Sequence, residues 1–315
     1  MIYELLIVGG GPGGVAAGVY AARKKIKTLL ITDGFGGQSV VSADIKNWVG
    51  VRSVSGFDLG KMLEEHLRAQ EDIKVIDGDL VIGVEKSAGG PAPSSAEGFT
   101  AKTQSGKEFQ AKYLLVASGS RRRKLGVPGE EELDGKGVVY CSTCDAPVFK
   151  DKVVAVVGGG NAGLEAVVDL LPYASKIYLL EYSDKPRGDQ LTREKVVGSG
   201  KVEVITMAET SRVLGDKFVT GLEYKDRRNG ELKTLELDGV FVEIGAMPNS
   251  DFVRDLVQLN KSGEIIVDHQ TQRTSCPGIW AAGDVTDVLY KQNNISAGDA
   301  VKAVLNIDEE MNKKK

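Results

Sequence analysis

The chain has 315 residues, of which 42% are hydrophobic and 27% are charged, and its formal net charge at pH 7 is -4. This length allows about two domains with sizeable cores, and the weakly acidic balance gives no reason to expect a nucleic acid or an anionic membrane as a partner. No apolar run approaches the roughly 20 residues of a transmembrane helix.

The N-terminus enters a strand pattern directly, without a basic leader, so we expect no secretory signal. Three cysteines are too few, and odd in number, for a disulfide scaffold. These features favour a cytoplasmic protein with one functional cysteine pair.

The first predicted elements form a βαβ unit. Residues 3–8 have the pattern of a short buried strand, the loop Gly9-x-Gly11-x-x-Gly14 follows, and then a helix and a strand over residues 27–32. In dinucleotide-binding units such glycines let the backbone approach a pyrophosphate at the helix N-terminus. Asp33, about 20 residues beyond the loop, is a candidate ligand of a ribose hydroxyl, and the alternative is a solvated strand end.

Two features separate this unit from the next. Residues 85–98 are rich in Gly, Pro, Ala and Ser, which predicts a hairpin tip or a surface insertion. Further on, Cys141-Ser142-Thr143-Cys144 is followed at once by Asp145. A zinc module built on this pair fails, because a structural site needs four ligands and two more are missing at suitable spacing. We therefore predict no metal.

The βαβ pattern then returns. A strand over residues 152–157 precedes the loop Gly158-x-Gly160-x-x-Gly163, a helix over residues 164–171 that Pro172 ends, and a strand over residues 176–181. Glu181 is the candidate ribose ligand of this unit. Two glycine-rich loops, each after a strand and before a helix, are a far more specific signal than one.

Glu181 also favours NADH over NADPH. The extra phosphate of NADPH would bring about two negative charges beside this carboxylate. Unit charges ~4 Å apart at an effective dielectric of ~20 repel by about 4 kcal/mol, so a preference of about a hundredfold for NADH is expected after solvent exposure is allowed for. Tyr182 and Ser183 offer no cation, and Arg187 is the nearby cation that could offset Glu181.

Together these motifs resemble the low-molecular-weight thioredoxin reductases, flavoproteins with an FAD domain, a pyridine-nucleotide domain and a CxxCD dithiol. The similarity runs nearly end to end. Besides the two loops and the dithiol, it rests on Gly36-Gly37-Gln38, Asn47-Trp48, Ala117-Ser118-Gly119, Ala281-Ala282-Gly283-Asp284 and Tyr290-Lys291-Gln292.

Within that family, residues 137–150, 158–165 and 179–187 look most like the flavoprotein subunit of bacterial alkyl hydroperoxide reductase, which prefers NADH. That subunit also carries an N-terminal pair of thioredoxin-like folds. Because this chain starts at the strand of the FAD domain, we expect that arm to be missing and a separate protein to accept the electrons.

The resemblance implies an α/β fold with two Rossmann-like three-layer dinucleotide-binding domains, the class II architecture of pyridine nucleotide-disulfide oxidoreductases. The FAD domain would comprise residues 1–118 and 247–315, and the NAD(P)H domain with the dithiol residues 119–246. Hinges are expected near residues 118–121 and 245–249. In the family, rotation of the two domains about such hinges gives the dithiol and the nicotinamide access to the flavin in turn.

The resemblance also implies the site residues. FAD would be bound by Gly9, Gly11, Pro12, Gly14, Asp33, Gly37, Gln38, Asn47, Ala117, Gly119, Gly283, Asp284, Lys291, Gln292 and Asn293. NAD(P)H would be bound by Gly158, Gly160, Asn161, Ala162, Gly163, Glu181 and Arg187.

For catalysis, the resemblance implies that Cys144 faces the flavin and that Cys141 attacks the partner disulfide. A helix N-terminus just after Cys144 would help to form the attacking thiolate. Asp145 would protonate the leaving thiolate, which requires a raised pKa. His66 and His269 are predicted surface side chains, Tyr140 a packing residue and Cys276 a small core residue.

Some positions depart from the family pattern. NADPH-dependent thioredoxin reductases have His-Arg-Arg where this chain has Glu181-Tyr182-Ser183, which disfavours NADPH without excluding it. Ala146 replaces a usual glycine, Ser118 a usual threonine, and Asn293 a usual alanine near the expected flavin edge.

The leading hypothesis is a disulfide reductase that uses NADH, FAD and the Cys141–Cys144 pair. Its acceptor would be a thioredoxin- or glutaredoxin-like protein or a carrier of a peroxiredoxin system, which includes the alternative of a reductase component for alkyl hydroperoxides. A ferredoxin-dependent flavin reductase is a second alternative, opposed by the intact second loop and Glu181. A redox sensor that keeps FAD without turnover is a third, opposed by the complete CxxCD. A homodimer is expected from the resemblance alone.

Overall fold

The computed structural model describes residues 1–42, 44–87 and 98–313. The chain divides into two compact units. The first unit comprises Met1–Val41, Asn47–Arg121 and Met247–Lys315, and the second comprises Ser42–Lys46 and Arg122–Ala246. No helix in the described part of the chain combines the length and the apolar character that a membrane span needs.

The helices and strands follow one another in this order. The chain begins with β1 (Ile2–Gly10), α1 (Pro12–Arg23), β2 (Thr28–Phe35), α2 (Gly56–Arg68), β3 (Ile73–Ile76), β4 (Val81–Lys86), β5 (Phe99–Thr103), β6 (Glu108–Val116) and β7 (Ser120–Arg122). It continues with β8 (Val138–Val139), α3 (Ser142–Asp145), β9 (Val153–Val157), α4 (Asn161–Leu170), β10 (Lys176–Glu181), α5 (Gln190–Gly198), β11 (Val202–Thr206), β12 (Ala208–Gly215), β13 (Val219–Asp226), β14 (Leu232–Glu236), β15 (Gly239–Val242) and β16 (Ala246–Pro248). It ends with β17 (Ile279–Ala281) and α6 (Asn293–Lys313).

The first unit is built on a sheet in the order β3-β2-β1-β6-β5-β4, with β17 beside β6. The strands around β1 are parallel, and β4 and β5 are antiparallel. β1 is buried on both faces: Leu6 and Val8 enter one core, and Leu5 and Ile7 enter another that α1 and α6 cover. Burial on both faces explains the continuous apolar run of this strand.

The second unit is also built on a parallel sheet. Its main sheet has the parallel order β11-β10-β9-β15-β8, and β12, β13 and β14 form a separate antiparallel sheet. Along β9, Val154 and Val156 pack with apolar side chains of α4, whereas Ala155 and Val157 pack toward the side chains of β12 and β13. The order of layers is therefore helix, parallel sheet and antiparallel sheet.

These observations confirm the predicted α/β class with two Rossmann-like parts. The predicted strand over residues 176–181 matches β10, and the helix before Pro172 ends at Leu170. β2 extends two residues beyond Asp33, to Phe35, where its pairing with β1 shifts register. Of the predicted hairpin tip at residues 85–98, residues 88–97 lie outside the described residues, and the flanking strands β4 and β5 pair antiparallel.

Candidate active site

The first glycine-rich loop packs on its own unit in a way that requires glycine twice. Gly9 has φ +115°, and a Cβ there would overlap the carbonyl oxygen of Ala117, the residue directly after β6. A Cβ on Gly14 would overlap the carbonyl oxygen of Gly9. Gly11 differs, because its nearest neighbour would be the Cα of Gly37 at 3.8 Å. The first and third glycines therefore serve the fold, and the second leaves space for a ligand.

The second loop has the same construction. Gly158 has φ +117° and lies against the carbonyl oxygen of Glu243, and a Cβ on Gly163 would overlap the carbonyl oxygen of Gly158. A Cβ on Gly160 would meet nothing within 4 Å.

Both helices that follow these loops begin at a glycine N-cap, Gly11 for α1 and Gly160 for α4, without a side-chain cap. Amides of the first turn of a helix bind anions when no side chain satisfies them. Pro12 lies at the start of α1, where its missing N–H costs nothing, and Asn161 and Ala162 open α4. Both loops fit a dinucleotide pyrophosphate.

The two candidate ribose ligands differ in their surroundings. Asp33 is exposed on β2. Glu181 is only 8% exposed at the end of β10. Its Oε2 accepts a hydrogen bond from the Gly159 amide at 2.8 Å, and its Oε1 accepts one from the Ser183 amide at 2.7 Å. Glu181 is thus fixed against its own glycine-rich loop.

The segment after Glu181 is bonded to the same loop. The amides of Arg187 and Gly188 donate to the Gly159 carbonyl at 2.8 and 3.2 Å, and the Asp189 amide donates to Asn161 Oδ1 at 2.8 Å. The Arg187 side chain is exposed. Its backbone is therefore held beside the second loop, while its guanidinium is not held in place over Glu181.

Several residues predicted to bind FAD lie together in the first unit. The Gly36 amide donates to the Gly10 carbonyl at 3.0 Å, which sets Gly37 and the exposed Gln38 beside the first loop. Asn47 Nδ2 donates to Gln292 Oε1 at 3.3 Å. The Ala117 amide donates to the Val8 carbonyl at 2.9 Å.

The second predicted FAD segment reaches the same place through α6. A Cβ on Gly283 would come within 2.8 Å of Ser296 Oγ, and Ser296 Oγ donates to Asp284 Oδ1 at 3.2 Å. The carbonyl of Ser296 would lie 3.1 Å from a Cβ on Gly13, in the first turn of α1. Gly283 and Asp284 are thus joined to the first glycine-rich loop.

The other residues of that segment already have protein partners. Lys291 Nζ forms an ion pair with Glu264 at 3.0 Å and donates to the carbonyls of Asp284 and Thr286. Asn293 opens α6, and its Oδ1 accepts a hydrogen bond from Ser39 Oγ at 3.1 Å.

Two residues near the predicted hinges are also bonded within the first unit. Gly119 has φ +64°, and its carbonyl accepts the Asn249 amide at 3.0 Å. Ser118, which departs from the family pattern, donates its hydroxyl to the Asn249 carbonyl at 2.7 Å.

The cysteine pair forms a disulfide, Cys141–Cys144, with its Cα atoms 5.4 Å apart. The helix N-terminus predicted just after Cys144 corresponds to a 3₁₀ helix, and an α-helical turn that was not predicted precedes it. The α-helical turn starts at Ser142, with Cys141 as its extended N-cap residue, and Cys144 lies inside this single turn. The Asp145 amide donates to the Cys141 carbonyl at 3.0 Å, a bond that closes the turn one residue after Cys144. A 3₁₀ helix then begins at Ala146.

Asp145 is the buried acid of this turn. It is 7% exposed, and burial raises its pKa to about 7. This matches the raised pKa that a proton donor at this position requires, because a carboxyl with this pKa holds a proton near neutral pH.

Sequence reasoning missed two carboxylates that meet the same turn. Asp169, on α4, accepts hydrogen bonds from Ser142 Oγ at 2.9 Å and Thr143 Oγ1 at 3.2 Å. Glu243, just after β15, is 8% exposed; burial raises its pKa to about 7, and the nearby Ser142 backbone opposes that increase. No motif marks either residue, and the one available signal in the sequence was the position of Glu243 directly after the apolar run of β15.

The remaining candidate residues have the exposure or burial that the sequence predicts. His66 and His269 are exposed, and Cys276 is a free, buried cysteine whose thiol pKa is raised by burial. Tyr140 is buried and donates to Glu130 at 3.0 Å. Among the residues that the structure describes, no group of three or more His, Cys, Asp or Glu side chains could hold a metal ion.

The sequence of the chain is similar to that of a known protein family and of several curated proteins. The sequence model of the Pyridine nucleotide-disulphide oxidoreductase family matches residues 3–303. A subunit of alkyl hydroperoxide reductase in Pseudomonas aeruginosa is 45% identical over 304 residues, and its Escherichia coli counterpart is 41% identical over 306 residues. Each alignment covers 96% of this chain and 57% of the relative, so the chain spans little more than half the length of these relatives.

Solved structures give a match over the whole chain. Thioredoxin reductase from Streptococcus pyogenes superposes with a TM-score of 0.88 at 30% sequence identity, and the enzyme from Giardia duodenalis with a TM-score of 0.87 at 29%. In both cases 99% of each chain is covered.

Proposed function

Because the chain belongs to the pyridine nucleotide-disulphide oxidoreductase family, we propose that it is a flavin-dependent disulfide reductase that passes electrons from NADH to a thioredoxin-like protein. The observation that supports this most is the Cys141–Cys144 disulfide followed by the buried Asp145, in the same compact unit as a glycine-rich loop. Membership of the family implies FAD and a pyridine nucleotide as cofactors.

FAD, when bound, accepts a hydride from the nicotinamide and supplies two electrons to a disulfide. The chain's own residues would hold the cofactors. In the first unit, the loop at Gly9, Gly11 and Gly14 would bind the FAD pyrophosphate. The separate turns at Gly37 and Gly283 would border this loop. In the second unit, Gly158, Gly160 and Gly163 would bind the nicotinamide dinucleotide.

Glu181 would select the nucleotide. Its carboxylate is buried and held by two amides, so it cannot turn away from an additional phosphate. A fixed negative charge disfavours the 2′-phosphate of NADPH more than a mobile surface carboxylate would. We therefore propose NADH as the electron donor.

The dithiol would carry the electrons to the acceptor. The Cys141–Cys144 disulfide takes up two electrons and two protons, of which Asp145 would supply one. Cys141, as a thiolate, attacks one sulfur of the acceptor disulfide, which forms a mixed disulfide and releases the other acceptor sulfur. Cys144 then attacks Cys141, restores the disulfide and releases the second acceptor thiol. Overall, NADH, a proton and a protein disulfide become NAD⁺ and two thiols.

The acceptor is proposed from the relatives. The similar proteins are thioredoxin reductases and subunits of alkyl hydroperoxide reductase, so we propose a thioredoxin- or glutaredoxin-like protein or a carrier of a peroxiredoxin system. The cytoplasmic location, the homodimer and the domain rotation stay predictions from the sequence.

The relay is tested with Cys141→Ser. We expect the variant to lose reduction of a thioredoxin disulfide while NADH still reduces the bound flavin at the wild-type rate. Cys276→Ala is the matched control, because it removes a cysteine from the core of the first unit and should retain both activities. Protein disulfide reduction at the wild-type rate in Cys141→Ser would show that the relay assignment is wrong.

The electron donor is tested by anaerobic rapid mixing of the purified flavoprotein with NADH or NADPH, while the visible absorbance of the flavin is followed. We expect fast loss of absorbance with NADH and a rate about a hundredfold lower at equal NADPH concentration. Equal rates would mean that Arg187 or another cation offsets Glu181, and Arg187→Ala would then slow only the reaction with NADPH. No reduction by either nucleotide would favour ferredoxin as the donor.

A further inference from the structure

Two residues separate the cysteines of the dithiol, and one carboxylate oxygen holds both of them. Asp169 Oδ2 accepts a hydrogen bond from Ser142 Oγ at 2.9 Å and another from Thr143 Oγ1 at 3.2 Å. A serine or threonine hydroxyl has a single proton, so each hydroxyl donates it to this acceptor and has none left for a cysteine sulfur. The whole segment between the cysteines is therefore bonded to a residue outside the turn.

The helix that carries Asp169 is a firm support. Asp169 is the last residue but one of α4. Its neighbours Val167 and Leu170 are completely buried, in a core that they share with Val154 and Val156 of β9. The core of the second unit thus fixes the backbone from which this carboxylate reaches the dithiol turn.

The residues between the cysteines set the separation of the two sulfurs. The Cα atoms of Cys141 and Cys144 are 5.4 Å apart, within the range that a disulfide requires. When the disulfide is reduced, the S–S bond no longer closes the turn, and the bonds to Asp169 and the bond from the Asp145 amide to the Cys141 carbonyl are available to hold it. Contacts that keep two reacting groups close raise their effective concentration and favour the bond between them.

We propose that Asp169 is a positioning residue for the Cys141–Cys144 dithiol. Through the hydroxyls of Ser142 and Thr143 it keeps the reduced turn in the geometry of the disulfide, and so shifts the dithiol–disulfide equilibrium towards the disulfide. The same geometry directs Cys144 to Cys141 when the mixed disulfide with the acceptor is resolved. This inference rests on the proposed redox role of the dithiol.

The test measures the equilibrium of the dithiol in the purified holoprotein. The protein is equilibrated anaerobically with mixtures of reduced and oxidised dithiothreitol. In this exchange, one reduced dithiothreitol and the protein disulfide become one oxidised dithiothreitol and two protein thiols. Acid quenching, alkylation and mass spectrometry of the peptide that contains both cysteines give the reduced fraction.

We expect Asp169→Ala to shift the equilibrium about tenfold towards the dithiol, which corresponds to about 30 mV for two electrons. The double variant Ser142→Ala/Thr143→Val keeps the carboxylate but removes both donors, and should give the same shift. Asp169→Asn keeps an oxygen that can accept both bonds, and should stay within about threefold of the wild type. Glu165→Gln, at an exposed carboxylate of the same helix, is the matched control and should have no effect.

Combining the variants tests whether the effect passes through the hydroxyls. If it does, Asp169→Ala adds no further shift in the Ser142→Ala/Thr143→Val background. Additive shifts, a wild-type equilibrium in a folded Asp169→Ala, or a shift in Asp169→Asn as large as that in Asp169→Ala would overturn the inference.

If Asp169→Ala does not fold, Ser142→Ala/Thr143→Val decides alone, and a wild-type equilibrium in that variant would contradict the proposal. Failure of the proposed function is distinguishable, because it would appear as protein disulfide reduction that survives Cys141→Ser. The equilibrium with dithiothreitol is measured without any acceptor protein, so its outcome does not depend on that result.

Discussion

The two glycine-rich loops have the same backbone design but different acidic partners. In each loop the first glycine has a positive φ and lies against the residue that follows a neighbouring strand, and the third lies against the carbonyl of the first. Asp33, beside the first loop, is exposed, whereas Glu181, beside the second, is buried and accepts two amide hydrogen bonds. The shared design fits a general dinucleotide site, and the burial of the acid at the second loop supports the proposal that this loop selects NADH.

The second unit also contains chemistry that the first lacks in its described residues. The dithiol turn, Asp145 and Glu243 all belong to it, and burial raises the pKa of both carboxyls to about 7. Among the described residues, the first unit also buries the carboxyls of Asp79 and Asp299, but the carboxyls whose pKa burial raises to about 7 lie in the second unit. Buried carboxyls with raised pKa values cluster at functional sites, which favours the second unit as the place where protons are exchanged.

The largest expected effect comes from the glycines that the two loops share. Gly14→Ala and Gly163→Ala would each force a Cβ into the carbonyl of the first glycine, and we expect a loss of about 3 kcal/mol or more of unfolding free energy in each. Gly14→Ala should also release FAD, whereas Gly163→Ala should retain bound FAD and its visible absorbance. Gly160→Ala is the contrast: it meets no protein atom, so it should fold normally and raise only the KM for NADH. Equal unfolding free energies for Gly163→Ala and Gly160→Ala would contradict this account.

Asp145→Asn tests a buried carboxyl of the second unit whose pKa is raised. Because the pKa of Asp145 is raised, its ionised form destabilises the folded state above about pH 7, by up to about 4 kcal/mol, and this penalty is lost gradually as the pH falls towards the ordinary aspartate value. Denaturant unfolding should therefore show Asp145→Asn to be more stable than wild type at pH 8, with a gain that shrinks by pH 5. Disulfide reduction should fall about a hundredfold, since the amide donates no proton. A gain in stability that does not depend on pH would show that burial of the charge is not the cause.

The smallest of these effects separates the two ribose ligands. Glu181→Ala leaves the buried amide of Gly159 and the partly buried amide of Ser183 without their acceptor, which should cost about 2 kcal/mol of unfolding free energy. Asp33→Ala exposes no such donor, so it should change stability by less than about 0.5 kcal/mol and act only on FAD affinity. Chemical denaturation and flavin titration measure the two quantities. If Asp33→Ala proved as destabilising as Glu181→Ala, the contrast between the loops would fail.

Most of the fold could be predicted from the sequence because its signals are local. The spacing of Gly9, Gly11 and Gly14, and its repeat at residues 158–163, reflects close backbone approaches that only glycine allows. The strands buried on both faces are continuous apolar runs, and the CxxCD motif is contiguous. The start of α3 could not be placed in the same way, because four residues carry too little periodicity to locate a helix.

By itself, then, the sequence determined the α/β class, the two dinucleotide loops, the cysteine pair and the identity of the neighbouring acids. Only the tertiary structure decided which of those acids are buried. Asp145 and Glu181 are buried because residues from elsewhere in the chain pack on them, whereas Asp33 is exposed to solvent. Glu243, about 100 residues after the cysteine pair in sequence, is buried within the same compact unit. Burial and proton affinity depend on what surrounds a group in space, and spacing along the chain does not contain that information.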